Sequence, residues 1–297
     1  MTDAAGPALL LDTYSLFFRA YHALPDMRTT RGEPTAAMYG FLALFLKLLR
    51  ERQPMSIAFA LDVKEETFRR RRYAEYKAGR DAVPERLLEQ LTRLHELLSL
   101  LEVPVHYVPG YEADDVLATL ARERRERDEP ALVVSGDRDL LQVAHGSVKV
   151  LFAGARGKDA VLYGAAEVEA RFGVAPQALP SWVALVGDPS DNLPKVPGIG
   201  PRTATELVRR FGNMEGVLHG LSQVASPKLR ADLELYREQI IMTEQLARLE
   251  DRLALPTEPR TLPISPRAFE QLRALFVELE FQSLIPRLAA LAPKDLI

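Results

Sequence analysis

The chain has 297 residues, of which 47% are hydrophobic and 27% are charged, an ordinary balance for a globular protein. It has no cysteine, which excludes disulfides, thiolate metal sites and cysteine nucleophiles, and no apolar run approaches the roughly 20 residues of a membrane span. The net charge of −3 argues against a uniformly basic protein but not against a protein that binds nucleic acid. The N-terminus lacks the basic start of a signal peptide, and together with the absence of cysteine this fits a cytoplasmic protein.

Four short apolar runs predict buried strands, and acidic residues follow each of them. The runs lie at 8–12, 56–62, 103–108 and 131–137. The first, second and fourth end in Asp12, Asp62 and Asp137, and the third leads into the sequence GYEADD. Helical patterns at 35–52, 84–101 and 113–127 separate the strands. This alternation predicts an α/β fold with a mostly parallel central sheet flanked by helices.

The acidic residues are expected to meet at one edge of this sheet. Ligands of such folds bind beyond the carboxyl ends of the strands, where Asp139 follows Asp137 by two residues. A single aspartate after a strand is an ordinary loop residue, whereas four strand ends that share this feature are hard to explain by turn chemistry. The sequence therefore predicts a ligand site at this edge.

The segment GYEADDVLATLA at 110–121 crowds Glu112, Asp114 and Asp115 ahead of a helical pattern. One explanation is that acidic side chains in a first helical turn interact favourably with the helix dipole. The other is a metal site, in which bound divalent cations relieve the repulsion among the carboxylates. The segment alone leaves both open, and the other acidic strand ends favour the metal site.

The stretch 184–212 adds two carboxylates and a turn that leads into a helix. Asp188 and Asp191 lie three residues apart, so a helical turn would place both on one face, with a proline or Asx turn as the alternative. Gly198 and Gly200 permit close backbone approach or positive φ, and Pro201 suits a first helical turn. We interpret the stretch as a helix-hairpin-helix, whose backbone N–H groups bind phosphates without reading bases.

The rest of the chain is mainly helical by its pattern. An amphipathic helical stretch covers 226–251, a proline-rich extended stretch covers 255–266, and a final helix is predicted at roughly 266–291. We therefore divide the chain into an α/β core at 1–185 and a helix-hairpin-helix with a C-terminal helical region at 186–297.

Residues 68–84, called here the basic segment, begin with FRRRRYAEYKAGR, in which basic side chains alternate with tyrosines. Such a composition suits a single-stranded nucleic acid with stackable bases. A solvated helix or loop is the alternative, and the charge and lack of an apolar face indicate a mobile segment. Arg19 follows Asp12 closely, where a cation pairs with carboxylates or meets a phosphate, whereas His22 is interpreted as structural because the histidines have no metal-ligand spacing.

Oxygen ligands without cysteine or clustered histidine select hard cations, Mg²⁺ or Mn²⁺. The number of acidic residues favours more than one ion. Two ions about 4 Å apart hold the attacking and leaving oxygens of a phosphoryl displacement. The sequence thus predicts metal-dependent phosphoryl chemistry.

Taken in order, these motifs resemble the 5′-nuclease family, which includes the 5′→3′ exonuclease domain of bacterial DNA polymerase I and the flap endonucleases. The similar motifs cover nearly the whole chain and are LLLDTYSLFFRAYHALP, RGEPTAAMYGF, FRRRRYAEYKAGR, GYEADDVLATLA, SGDRDLLQ and GDPSDNLPKVPGIGPRTA. Two departures stand out. Thr13 occupies a position that is usually glycine, and Lys195 one that is often small. Neither removes an expected ligand.

The resemblance implies the roles of individual residues. The metal ligands would be Asp12, Asp62, Glu112, Asp114, Asp115, Asp137, Asp139, Asp188 and Asp191, those up to Asp115 mostly for the catalytic ion and the others mostly for the second. Arg19, Lys77 and Arg80 match catalytic positions at the scissile phosphate, and Tyr76 matches one that stacks near the 5′ end. DNA contacts would also come from Arg70, Tyr73, Lys195, Gly198, Gly200, Arg202 and Thr203, with K⁺ joining the hairpin to DNA phosphate.

The family implies a monomeric nuclease that removes primers and flaps in replication and repair, acting on DNA with 5′ ends, flaps or RNA primers alongside a DNA polymerase. Because no polymerase sequence is present, we expect a stand-alone nuclease or an excised domain. One alternative is a Mg²⁺-dependent phosphatase with an aspartate nucleophile, against which the basic segment and the hairpin argue. Another is a non-catalytic DNA-structure-binding protein with a decayed metal site, against which the full set of carboxylates argues.

Overall fold

The computed structural model describes residues 6–79, 82–153, 160–255, 260–261 and 265–292. Within these ranges one mixed sheet contains all the strands. They are β1 (Gly6–Asp12), β2 (Pro54–Ala60), β3 (Val105–His106), β4 (Ala131–Ser135), β5 (Val148–Phe152), β6 (Val161–Tyr163) and β7 (Arg260–Thr261). The order across the sheet is β3-β2-β1-β4-β5-β6, and β7 pairs with β2.

The first five strands are parallel, whereas β6 and β7 are antiparallel to their neighbours. In the centre of the sheet, Asp12 pairs with Ala60 of β2, and Leu11 pairs with Val134 of β4. The carboxyl ends of the three central strands therefore reach the same edge. The mostly parallel sheet confirms the predicted fold class.

Helices cover both faces of the sheet. They are α1 (Thr13–Ala23), α2 (Ala36–Arg52), α3 (Phe68–Arg72), α4 (Glu85–Leu100), α5 (Ala113–Glu126), α6 (Ala165–Phe172), α7 (Leu179–Val186), α8 (Pro201–Phe211), α9 (Met214–His219), α10 (Pro227–Leu235), α11 (Arg237–Ala247), α12 (Pro266–Glu278) and α13 (Ile285–Ala289). Several starts follow from local chemistry: Ser226 and Ser265 each precede a proline at the first helical position and accept a backbone N–H of the first turn.

The alternating side chains of β1 belong to two cores. Leu9 and Leu11 pack with α1, α2, α4 and α12 on one face. Ala8 and Leu10 pack on the other face, where the core continues from α5 into the C-terminal helices α7 to α11. The helical region and the sheet therefore share one continuous apolar interior, which holds the hairpin against the carboxyl edge.

Several elements differ in detail from the predictions. β3 has only two residues, β2 ends at Ala60 so that Asp62 lies in the following loop, and β5 and β6 were not predicted because runs of three to five residues carry little periodic signal. The helical stretch 226–251 contains α10 and α11, and the final helix predicted at 266–291 is divided into α12 and α13. None of the described helices is both long enough and apolar enough to cross a bilayer.

Candidate metal centre and nucleic-acid interface

Asp12 and Asp137 lie at the point where the strand order reverses, between β1 and β4. Asp12 ends β1 and caps α1, since its Oδ1 accepts the Ser15 N–H at 3.3 Å. The Ser135 hydroxyl donates to Asp12 Oδ2 and accepts the Asp137 N–H at 2.8 Å. Ser135 therefore holds the ends of two adjacent strands together and brings their carboxylates close.

Asp62 joins this pair to the N-terminus of α5. It lies in the loop after β2, and its Oδ1 accepts the Ala113 N–H at 2.9 Å. Glu112, directly before α5, and Asp114, in its first turn, are each only 9% exposed. The sheet edge and the start of α5 thus place these carboxylates around one space.

Burial, together with repulsion from neighbouring carboxylates, raises the pKa values of Asp12 and Asp114. Burial raises the pKa of Asp12 to about 7, and the charges of Asp62 and Asp137 contribute to the increase. Burial also raises the pKa of Asp114 well above its ordinary value, with Asp137 and Asp12 adding to it. A bound divalent cation would favour the charged forms and remove this cost.

A second acidic group forms beside the first. Burial raises the pKa of Asp139 well above its ordinary value, and the charges of Asp137, Asp191 and Asp188 raise it further. Asp137 therefore interacts with members of both groups and lies between them. The carboxylates therefore fall into two groups that share Asp137, and the two ion sites that the sequence predicts stay a prediction.

A tight turn presents the last two carboxylates. Asp188 and Leu193 exchange backbone hydrogen bonds of 3.1 and 2.8 Å, and Asp188 Oδ1 accepts the Ser190 N–H at 2.8 Å. This is an Asx turn, so the turn alternative is the one that occurs and not the helical turn. The prolines and serine of the stretch favour this geometry, which still brings Asp188 and Asp191 to the same place.

A cavity of about 440 Å³ opens in front of the first group. One face of α1 supplies part of its wall, with Tyr14, Ser15, Phe18, Arg19 and His22. Among these, only Arg19 is a predicted site residue, and His22, which we interpret from the sequence as structural, is exposed at the cavity. The three- and four-residue spacing after the capping aspartate is the signal that identifies the others.

Arg19 is held at the cavity by the backbone after β4. Its Nη2 donates to the Gly136 carbonyl at 2.8 Å, and a Cβ on Gly136 would lie 2.3 Å from Arg19 Nε. Burial lowers the pKa of Arg19, and the charges of Asp137 and Asp12 oppose that decrease. A side chain at position 136 would therefore displace the guanidinium from its place beside the acidic groups.

Two residues of the basic segment bridge the acidic groups. Lys77 Nζ lies 3.1 Å from Glu112 Oε2 and 3.7 Å from Asp191 Oδ2. The Tyr76 hydroxyl donates to Asp191 Oδ2 at 2.8 Å and also lies 3.1 Å from Glu112 Oε2. The Tyr76 side chain is 3% exposed, so the ring is not available here for the base stacking that the resemblance implies.

Asp115 has different surroundings from the other carboxylates. It is completely buried, and its two oxygens bond Arg69, which is itself 1% exposed, at 2.7 Å each. The basic segment is therefore not a purely solvated stretch, because Arg69 and Tyr76 anchor it in the interior. Arg70 is exposed and Tyr73 is half-buried, whereas Arg80 lies outside the described residues.

The predicted hairpin lies between α7 and α8. Gly198 has a φ of +79°, which favours glycine, and Gly200 precedes α8 with open space around the position of a Cβ. Lys195 and Arg202 are exposed, and Arg202 pairs with Glu206 at 3.0 Å. Thr203 is half-buried in the first turn of α8.

Thr13 is accommodated without strain. It is the first residue of α1, where no positive φ is needed, and its Oγ1 donates to the Leu11 carbonyl at 3.4 Å. The departure from glycine at this position therefore does not distort the neighbouring Asp12.

The donor set fits hard divalent cations. It consists of carboxylate oxygens, most of them buried and mutually repelling, which are the ligands that Mg²⁺ and Mn²⁺ prefer. In the described residues no three acidic or histidine side chains converge closely enough to share one ion as they stand. Lys77 and Tyr76 bond two of these carboxylates, so ion binding would have to draw the carboxylates inward against those contacts.

Family comparisons cover most of the chain. Residues 7–173 match the family described as 5′-3′ exonuclease, N-terminal resolvase-like domain. Residues 174–270 match the 5′-3′ exonuclease, C-terminal SAM fold. The two matches meet between α6 and α7, ahead of the boundary at 185 that we predict.

The chain is 38% identical over 292 residues to DNA polymerase I of Mycobacterium tuberculosis. The aligned region covers 96% of this chain and 32% of the polymerase. It spans about a third of the length of such relatives. Among solved structures, the phage T5 5′-exonuclease with bound zinc has a TM-score of 0.68 at 22% identity, over 82% of this chain and 90% of that one. The phage T5 flap endonuclease with DNA and metal ions has a TM-score of 0.69 at 19% identity, over 96% of this chain and 99% of that one.

Proposed function

The chain belongs to the 5′-3′ exonuclease family, and from that premise we propose that it is a structure-specific 5′ nuclease. It hydrolyses phosphodiesters of DNA with 5′ ends or flaps, as exonuclease and flap endonuclease, in primer and flap removal during replication and repair. The observation that carries the proposal is the pair of acidic groups around Asp137, with Lys77 of the basic segment forming an ion pair with one member of each group.

We propose that two divalent ions bind at these groups. Asp12, Asp62, Glu112 and Asp114 would hold the first, and Asp139, Asp188 and Asp191 the second, with Asp137 between them. When bound, Mg²⁺ or Mn²⁺ ions supply an activated water and stabilise the charge that develops on the phosphate oxygens. The electrostatic interactions of Asp137 with Asp12 in the first group and with Asp139 in the second support this assignment.

Two described cations are suited to the scissile phosphate. Arg19 lies in the cavity wall with its guanidinium fixed by the Gly136 carbonyl. Lys77 lines the same cavity at the edge of the first acidic group. Both would neutralise the phosphate charge and orient it in a partly buried site, where such interactions are strong. Arg80, which matches a family position of this kind, completes the proposed set.

The hairpin would bind the DNA backbone away from the cut. The exposed Lys195 and Arg202 and the open backbone at Gly198 and Gly200 suit phosphate contacts that position DNA without reading its sequence. The resemblance adds K⁺ at this hairpin. Arg70, Tyr73 and Thr203 remain proposed contacts, and we propose that the nuclease acts as a monomer together with a DNA polymerase activity.

The test is cleavage of a 5′-end-labelled flap duplex in Mg²⁺, in Mn²⁺ and in EDTA. We expect metal-dependent release of short 5′ products near the junction, and product lengths distinguish exonuclease from flap endonuclease action. Asp137→Asn should abolish most cleavage while DNA binding remains. Asp128→Asn is the matched control, because Asp128 is exposed and has a φ of +53° that asparagine tolerates. Binding without cleavage in either metal would exclude the nuclease, and preference for a small phosphate ester would favour the phosphatase.

A further inference from the structure

Arg69 is the most deeply buried cation of the basic segment among the described residues. Its side chain is 1% exposed, although the three arginines that follow it, Arg70, Arg71 and Arg72, are at the surface. Nη1 and Nη2 each donate to one oxygen of Asp115 at 2.7 Å. This two-point contact between a guanidinium and a carboxylate has a fixed geometry that lysine does not reproduce.

The oxygens of Asp115 are fully used by protein donors. Oδ2 accepts from Arg69 and from the Glu112 N–H at 3.0 Å. Oδ1 accepts from Arg69 and from the Glu250 N–H at 2.9 Å. A carboxylate offers about four acceptor positions, so these four donors leave none for an ion.

Arg69 also connects three distant parts of the chain. Besides Asp115 at the start of α5, its Nε donates to the Leu246 carbonyl at 2.8 Å and its Nη2 to the Arg248 carbonyl at 3.0 Å. These carbonyls belong to the end of α11, where a cation is favoured. Arg69 therefore ties the basic segment to the C-terminal helices and to the acidic edge at one buried point.

The same point controls Glu112. Arg69 Nη1 lies 3.3 Å from Glu112 Oε2, and Asp115 holds the Glu112 backbone N–H. Two carboxylates, those of Asp115 and Glu112, thus face the buried guanidinium and balance its charge. Any shift of this pair would move Glu112 relative to Asp114, which follows it by two residues.

We propose that Asp115 does not bind an ion and instead forms, with Arg69, a positioning pair that fixes Glu112 and joins the basic segment to the site. This inference rests on the proposed nuclease function, and it separates Asp115 from the other acidic residues that the resemblance implies as ligands. It also assigns a role to Arg69, for which neither the motifs nor the comparisons provide one.

The first experiment compares Asp115→Asn with Asp114→Asn, by Mn²⁺ binding in calorimetry and by flap cleavage at saturating Mg²⁺. For Asp115→Asn we expect unchanged KM, kcat reduced about 10- to 100-fold, the usual cost of losing a residue that orients a ligand, and a smaller loss of Mn²⁺ affinity than Asp114→Asn causes. Asp114→Asn should weaken Mn²⁺ binding at least about tenfold. Equal weakening of Mn²⁺ binding by both substitutions would overturn the proposal.

Arg69→Lys provides a second test that leaves every carboxylate in place. A positioning role predicts a lower kcat with unchanged Mn²⁺ binding, because lysine cannot make the two-point contact. Unchanged kcat would overturn the proposal. This variant also decides the question if Asp115→Asn does not fold.

A double substitution tests the pairing independently of cleavage. Arg69→Met combined with Asp115→Leu should unfold at a higher urea concentration than either single variant, because each single variant leaves a buried charge or donor without its partner. A double variant that loses as much stability as the two single variants lose together would exclude the pair. If wild-type protein cleaves no flap DNA, the proposed function fails, while this unfolding comparison still decides whether the pair exists.

Discussion

Without divalent ions, the stability of this protein should decrease as the pH rises. Asp12 has a pKa of about 7 in the folded chain, raised from 3.8 by burial and by the charges of Asp62 and Asp137. Between those two values the unfolded chain releases a proton that the folded chain keeps. The contribution to stability is therefore complete below about pH 4 and is lost as the pH rises through about 7.

The size of this effect follows from the pKa difference. About three pKa units correspond to about 4 kcal/mol of unfolding free energy. Burial also raises the pKa of Asp114 and Asp139, so their contributions have the same sign. Burial lowers the pKa of His106 and His145, which gives the opposite sign near their ordinary value of 6.5. A comparison with a variant that keeps both histidines removes their contribution.

The assay is urea unfolding of wild type and Asp12→Asn from about pH 4 to about pH 8, in EDTA and in excess Mg²⁺. In EDTA, the stability of wild type relative to the variant should fall by about 4 kcal/mol across this range. Mg²⁺ should remove most of that fall, because bound ions favour the charged carboxylates. Asp128→Asn should follow wild type throughout, since Asp128 is exposed.

Either of two results would contradict the role of Asp12 or the position of the ions. If wild type and Asp12→Asn keep a constant difference in EDTA, Asp12 does not carry the repulsion described here. If Mg²⁺ leaves the pH dependence unchanged while still binding, the ions bind somewhere other than the acidic groups around Asp12.

Three further substitutions test particular contacts. Tyr76→Phe removes one hydrogen bond to a carboxylate and should lower the unfolding free energy in EDTA by about 1.5–3 kcal/mol, whereas Tyr73→Phe should change it by less than about 0.5 kcal/mol; equal effects would exclude the bridge. Gly136→Ala should displace Arg19 and reduce cleavage about tenfold or more, with no further loss of cleavage when Arg19 is already replaced by alanine. Additive losses of cleavage in the double variant would contradict the contact. His106 is buried, and neither of its ring nitrogens is hydrogen-bonded in the described structure. His106→Leu should therefore raise the unfolding free energy by about 1–3 kcal/mol at pH 8, and by more as the pH falls through 6.5. A variant less stable than wild type would contradict this account.

The sequence predicts much of the fold because its strong periodic signals are local. The predicted strand at 8–12 and the helices at 35–52, 84–101 and 113–127 correspond to β1, α2, α4 and α5 within a few residues. The short strands β5 and β6 lack such a signal, and the breaks between α10 and α11 and between α12 and α13 fall within continuous helical patterns. Short elements take their structure from sheet pairing and packing, which a local pattern does not contain.

The chemistry of the site was also determined by the sequence, since residue type and position after a strand place Asp12, Asp62 and Asp137 at one edge of a parallel sheet. Only the tertiary structure decided which hydrogen-bond partner each polar side chain at this edge has. Asp115 bonds Arg69 from 46 residues away, Arg69 bonds the Leu246 carbonyl from 177 residues away, and Tyr76 is buried against Asp191 from 115 residues away. Hydrogen bonds across such separations depend on how distant segments pack, so residues that look alike in the sequence acquire different roles in the folded chain.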